Sequence, residues 1–301
     1  MGRTITIDLH YLGRAGIISV FAAPTGEGGF VLLDSGPAST LPALEQGVEA
    51  AGLALGNLRA VLLTHVHLDH AAAAGSLSRQ TGCEVWAHPD GLAHLRDPGE
   101  RLLPSALRLY GSRLEVLFGT MEAVPARRLH AVEHGAPLRF GGLELAGWHT
   151  PGHARHHVAW QVADEVATGD VAGVRMAGST HVLPPMPPPD IDLEAWRVSL
   201  GLLRELAPRR LLLTHFGGFD DPQRHLDELD ERLGRWAAIA EEVVRGGGDA
   251  AALGVRLAAL DDQEMAAAGV ADAQRTLYSR LCPMVENSAG LLRYCRRQAG
   301  T

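Results

Sequence analysis

Several short apolar runs in this chain stop at a histidine or an aspartate. They are GFVLLD (29–34), RAVLLT (59–64) leading into HVHLDH, LAGWHTPGH (145–153), EVATGD (165–170) and RLLLTH (210–215). Apolar runs this short, bounded by polar loops, read as buried strands. Strand ends followed by polar loops are where sites are usually built. The chain must therefore fold so that several strands carry ligand-type side chains at their ends.

The rest of the chain supports strands alternating with helices. TITIDLHYL (4–12) and GIISVFAA (16–23) read as strands, with the turn cluster PTGEGG before GFVLLD. LPALEQGVEAAG reads as a helix with Ser39 or Thr40 as N-cap and Gly52 as its stop. Ala71 to Gln80 reads as a helix ending near Gly82, and EVWAH (84–88) as a strand. Residues 91–125 are mostly helical and irregular, and 126–170 return to strands. After the Pro-rich loop VLPPMPPPD (182–190) comes a helix capped by Asp192. RLLLTH is the last apolar strand, and 222–245 is a long amphipathic helix. GGGD (246–249) breaks the chain, and helical patterning without strands follows. The expected organisation is α/β: strands in residues 1–245, covered by helices as two packed sheets, then a helical extension over 246–301. Packing of that extension against the sheets is favoured over a homodimer interface or a lid.

Composition excludes some functions. With 301 residues, a formal net charge of −8 and no basic stripe, nucleic acid is not an expected partner. Cys83, Cys282 and Cys295 are odd in number and far apart, so free thiols in a reducing compartment are expected. No apolar run approaches the ~18 residues of a membrane helix, and the N-terminus lacks a signal-peptide pattern. A cytoplasmic protein acting on a small molecule is the expectation.

HVHLDH places His65, His67, Asp69 and His70 within six positions. A lone histidine is more often structural than a ligand, but four ligand-type residues directly after a buried strand favour metal. Imidazole nitrogen and carboxylate oxygen, without cysteine, suit zinc, iron and manganese alike. His65 and His67 alternate on a turn and could share one ion, while Asp69 and His70 could face a second. The other strand ends add His149, His153 and His215, and Asp170, a carboxylate able to bridge two cations.

These residues resemble the metallo-β-lactamase superfamily. THVHLDH (64–70), TPGH (150–153), TGD (168–170) and LLTHFG (212–217) occur in the family's order, with LLDSG (32–36) as its early strand-end aspartate. The resemblance covers about residues 1–240 and implies a four-layer αββα sandwich with the metal site at one edge of the sheets. It also implies His65, His67 and His153 on one metal, Asp69, His70 and His215 on the other, Asp170 bridging, and Asp34 orienting the site. TPGHARHH (150–157) and PPPD (187–190) resemble a subgroup whose substrate is unsettled. The Pro-rich segment should form a stiff wall near the metals.

The resemblance implies a dinuclear metallohydrolase with two divalent cations, zinc first. A metal-bridging hydroxide, held in line by Asp69, would attack a thioester, lactone, phosphodiester or amide. His157 is read as supporting the ligands or touching substrate, and His181 as reaching the pocket mouth. The alternatives are a mononuclear iron persulfide dioxygenase, which would want basic residues beside the pocket, and a non-catalytic metal-binding module.

Overall fold

The computed structural model describes residues 3–300. The first half forms a six-stranded sheet in the order β1 (Ile5–Asp8), β2 (Ser19–Gly26), β3 (Gly29–Leu33), β4 (Leu58–Leu62), β5 (Glu84–Ala87), β6 (Leu129–Ala131). The second half forms another six-stranded sheet, running from β7 (Pro137–Phe140) through β8 (Leu143–His149), β9 (Val158–Val162), β10 (Glu165–Ala167) and β11 (Arg210–Leu213) to β12 (Gly217–Phe219). In each sheet the site-bearing neighbours run parallel: β3 with β4, and β10 with β11. Parallel neighbours deliver their C-terminal ends to the same edge.

Every residue of β3 is buried, and alternate side chains enter different cores. Val31 and Leu33 point between the sheets and meet Leu145, Val158, Trp160 and Leu212 of the second sheet. Phe30 and Leu32 point outward to a core that includes Leu44 of α1 (Leu41–Ala50) and Leu77. The outer face of the second sheet is covered by α7 (Leu193–Glu205) and α8 (Pro222–Arg245) through Trp196, Leu200, Leu229 and Trp236. Strand periodicity with both faces buried thus produces four layers, helix–sheet–sheet–helix. The Asp192 side chain accepts from Ala195 N–H at 3.1 Å, making it the expected cap of α7.

Three local expectations change. The helix expected from Ala71 begins earlier and is split into α2 (Leu68–Ala71) and α3 (Ala74–Thr81), so Asp69 and His70 already sit on a helical turn. The Ala73 N–H donates to Gly36 O at 3.1 Å, which draws the chain out of the helical ladder. Thr40 occupies the N-cap of α1, but its hydroxyl donates to Pro37 O at 2.9 Å instead of capping. RLLLTH is followed by a further strand, β12, whose sequence GGF offers no apolar run to mark it and whose pairing with β11 creates it.

Between α3 and β6 lie α4 (Leu92–Arg96), α5 (Leu102–Tyr110) and α6 (Leu114–Phe118). Residues beyond GGGD form α9 (Ala250–Ala267), α10 (Asp272–Leu281) and α11 (Met284–Ala299). These last helices share a core with the second sheet through Leu253, Leu257, Tyr278 and Leu291. The Tyr278 hydroxyl donates to His181 O at 2.6 Å, and Asn287 Oδ1 accepts from Met186 N–H at 2.8 Å, which ties α10 and α11 to the Pro-rich loop.

Candidate metal centre

The ends of β3, β4, β10 and β11 converge where the sheets are cross-linked by backbone. Val158 N–H donates to Thr64 O at 2.7 Å, and Ser19 N–H to Thr214 O at 2.9 Å. Asp34 follows β3, His65 follows β4, Asp170 follows β10 and His215 follows β11, so these side chains project from one edge. His153 arrives on the loop after β8. All seven expected ligands gather there in two clusters, His65–His67–His153–Asp170 and Asp69–His70–His215.

In the first cluster, His67 Nδ1 lies 2.9 Å from His65 Nε2 and 3.0 Å from His153 Nε2. The far nitrogens are already engaged. His153 Nδ1–H donates to Pro185 O at 2.8 Å, and His65 Nδ1 faces Thr64 Oγ1 at 3.1 Å. These tautomers, assigned from the hydrogen-bond network, leave lone pairs on both Nε2 atoms. One proton on His67 can satisfy only one of them, whereas a cation at their focus satisfies all three nitrogens. In the second cluster His215 Nδ1–H donates to Ile17 O at 3.1 Å, and its Nε2 stands 3.3 Å from Asp69 Oδ2. His70 Nε2 and Asp170 Oδ1 are buried without a hydrogen-bond partner among the described residues. Converging lone pairs and orphaned buried polar atoms are the donor set a pair of divalent cations fits.

Asp34 holds this arrangement from behind. Its carboxylate accepts from Thr64 N–H at 2.7 Å, from Thr214 Oγ1–H at 3.0 Å and from His70 Nδ1–H at 2.8 Å. Its φ of +62° places an aspartate in the left-handed region, a backbone cost that the bonds to Thr64, Thr214 and His70 offset. Gly169 precedes Asp170 at φ +47°, where an added Cβ would stand 2.6 Å from Thr64 Oγ1 and 2.8 Å from His157 Nε2. TGD therefore needs its glycine twice over, for conformation and for space.

His157 is fully buried, and its Nε2 accepts from the Asp170 N–H at 3.3 Å while Nδ1–H donates to Thr150 Oγ1 at 2.9 Å. It supports the Asp170 backbone and does not face the cavity. His156 is the histidine of this pair that lines the cavity. The expectation that His181 reaches the pocket mouth is not met. Its Nε2 bonds Asp261 Oδ1 of α9 at 2.7 Å and its Nδ1 accepts from Arg232 at 3.2 Å, because α9 packs over it and claims the ring. His149 stays in β8 and bonds Val132 O at 2.9 Å.

The clusters form the floor of a cavity of about 530 Å³. Its walls come from α5, the prolines Pro185 and Pro187–Pro189, and Leu281, Pro283 and Glu286 of the C-terminal helices. Arg101, Arg108 and Arg155 also line it. These are basic residues beside the pocket that the sequence pattern did not reveal: tertiary packing alone brings Arg101 and Arg108 of the α5 segment over the ligand loops, while Arg155 sits on the His153 loop itself.

The family described as the metallo-beta-lactamase superfamily matches residues 16–215. A metallo-beta-lactamase fold-containing protein of the archaeon Sulfurisphaera tokodaii is 30% identical over 190 residues, 60% of this chain and 69% of that protein. The hydroxyacylglutathione hydrolase of Haemophilus influenzae is 32% identical over 117 residues, 38% of this chain and 50% of that protein. The crystal structure of a metallo-beta-lactamase family protein from Thermus thermophilus superposes with a TM-score of 0.73 at 20% identity, over 99% of this chain and 93% of that one. The match begins at Gly16, ends at His215, the last ligand-type residue, and runs through both sheets, so the chain belongs to the metallo-beta-lactamase superfamily and is a metal-dependent hydrolase of that family.

Proposed function

We propose that the protein is a dinuclear metallohydrolase that cleaves an ester-like bond, with thioester placed ahead of lactone, phosphodiester and amide. The observation that carries this reading is the reach of one carboxylate. Asp170 Oδ2 stands 3.3 Å from His153 Nε2 in one cluster, and Oδ1 stands 3.4 and 3.5 Å from His70 and His215 Nε2 in the other. A bridging ligand needs that geometry. Two divalent cations held there would supply a deprotonated water at neutral pH and polarise the substrate oxygen. His65, His67 and His153 would hold one, Asp69, His70 and His215 the other, and Asp170 both.

The chain's own groups do the rest. Asp69 lines the cavity, and its carboxylate holds the attacking water in line with the substrate carbonyl. Asp34 and His157 fix His70 and Asp170, so that neither reorganises during the reaction. The prolines Pro185 and Pro187–Pro189, with their φ angles fixed by their rings, form a stiff neighbouring wall. Thioester leads because the Haemophilus relative is named for that reaction class. Zinc is the first choice of metal, with iron and manganese as alternatives. No helix among the described residues is long and apolar enough to cross a membrane. A cytoplasmic location, a small-molecule substrate and a division into a catalytic unit (1–245) and a helical extension (246–301) that packs against the second sheet belong to the same proposal.

Elemental analysis of protein purified without added metal or chelator tests the dinuclear centre, and the expected result is two metals per chain. A second reading, a mononuclear iron persulfide dioxygenase, gains support from Arg101, Arg108 and Arg155, which could pair with an anionic thiol. One iron per chain with persulfide-dependent oxygen uptake would replace the hydrolase reading with that one.

A further inference from the structure

The C-terminal helices bring an acid into the cavity. Glu286 lies on the first turn of α11 and lines the same space as Asp69, His153, Asp170 and His215. The turn is fixed in place by Asn287, whose Oδ1 accepts from Met186 N–H of the Pro-rich loop. The same cavity is also lined by the apolar Leu281, Pro283, Leu102 and Phe118. Among the described residues its carboxyl makes no hydrogen bond or ion pair, although it shares the cavity with several arginines. A partly buried carboxyl that lines the cavity of a hydrolytic centre and has no such partner has a task open to it.

We propose that Glu286 is a catalytic residue whose carboxyl donates the proton that the leaving atom of the substrate takes up. This rests on the hydrolase reading. The oxygen of a water that has already lost one proton to solvent forms the new bond to the carbonyl carbon. The carbon–heteroatom bond breaks, and its electron pair takes the proton of Glu286. The Glu286 carboxylate then takes a proton back from solvent, so acid and alcohol or thiol leave with atoms and charge balanced. The surroundings favour the protonated carboxyl over the carboxylate. Burial pushes the Glu286 pKa above the ordinary carboxylate value, the negative charge of Asp69 adds to this, and Arg113 opposes it. Tyr110 of α5 and the buried Cys282, whose own pKa values are pushed upward, also feel the charge of Glu286.

The test compares Glu286→Gln with the zinc-loaded wild type on two esters of one acyl group, ethyl octanoate and 4-nitrophenyl octanoate. Ethoxide needs a proton to leave and nitrophenolate does not. The expected result is a fall of about 10²-fold on the ethyl ester, with the rate ratio of the two esters shifted at least about tenfold and two zinc ions retained. An equal fall on both esters, or no fall, overturns the proposal. Infrared difference spectra of wild type minus Glu286→Gln supply a readout that needs no turnover. A protonated carboxyl band titrating above the ordinary carboxylate range supports the proposal, and an ordinary titration overturns it. If the loaded wild type cleaves neither ester, hydrolysis of these substrates fails while the infrared result still decides Glu286.

Discussion

The two ligand clusters share one cavity floor, yet they keep their nitrogens available by opposite means. Burial drives the pKa values of His65, His67 and His153 down, His67 to about 3. These rings are neutral at pH 7 and present bare nitrogens. Burial also acts downward on His70 and His215, but there the carboxylates of Asp170 and Asp69 outweigh it and raise both pKa values, with Asp34 adding to the effect on His70. Without a cation, the second cluster favours the protonated rings more than the first does. One residue type in two adjacent sites therefore differs in proton affinity because one site holds more carboxylate. A cation would enter the first cluster directly, and would have to displace protons from the second.

The largest effect should come from removing the carboxylate common to both. Asp170→Ala is expected to lose at least one metal and to lower kcat/KM by about 10³-fold or more, as read by elemental analysis and steady-state rates. A variant that keeps two metals and its activity would show that Asp170 does not join the clusters. Next comes a paired deletion. His153→Ala should empty the first cluster and His215→Ala the second, each leaving about one metal per chain. Loss of both metals from either variant would mean the clusters do not act separately.

Smaller and more selective is Asp34→Asn, which removes the negative charge bonded directly to His70, whereas His65 meets that charge only through the Thr64 hydroxyl and His153 makes no bond to it. Metal affinity should fall about 10–100-fold at the second cluster and stay unchanged at the first in a competition titration. Subtler still is the proton count. The raised pKa values of His70 and His215 mean that their cation loses ground as pH falls through and below neutrality, while the depressed values of the first cluster protect its cation until well below the ordinary histidine pKa of about 6.5. Calorimetric titration of the metal-free protein at pH 7, in buffers of different ionisation enthalpy, should show proton release for one binding step only. Equal release in both steps would erase the distinction.

Much of this centre was legible in the sequence because its ligands are local to strands. GFVLLD, RAVLLT, EVATGD and RLLLTH are short apolar runs, so their ends could be located and the histidines and aspartates after them read in order. The roles of neighbours were less legible. His156 and His157 are adjacent, yet one lines the cavity and the other supports the Asp170 backbone from behind. His181 has no nearby sequence signal that α9 will claim its ring through Asp261. β12 exists only because β11 offers it an edge.

What the sequence alone determined is therefore the donor chemistry and the strand ends that carry it, since alternation and turn residues act over a few positions. Tertiary structure decided which carboxylate oxygen faces which cluster, which histidines hold protons, and which distant helices wall the cavity with arginines and Glu286. Those outcomes depend on distances between residues far apart in the chain. Burial and Coulomb interactions change steeply over a few ångströms, and no local pattern encodes such distances.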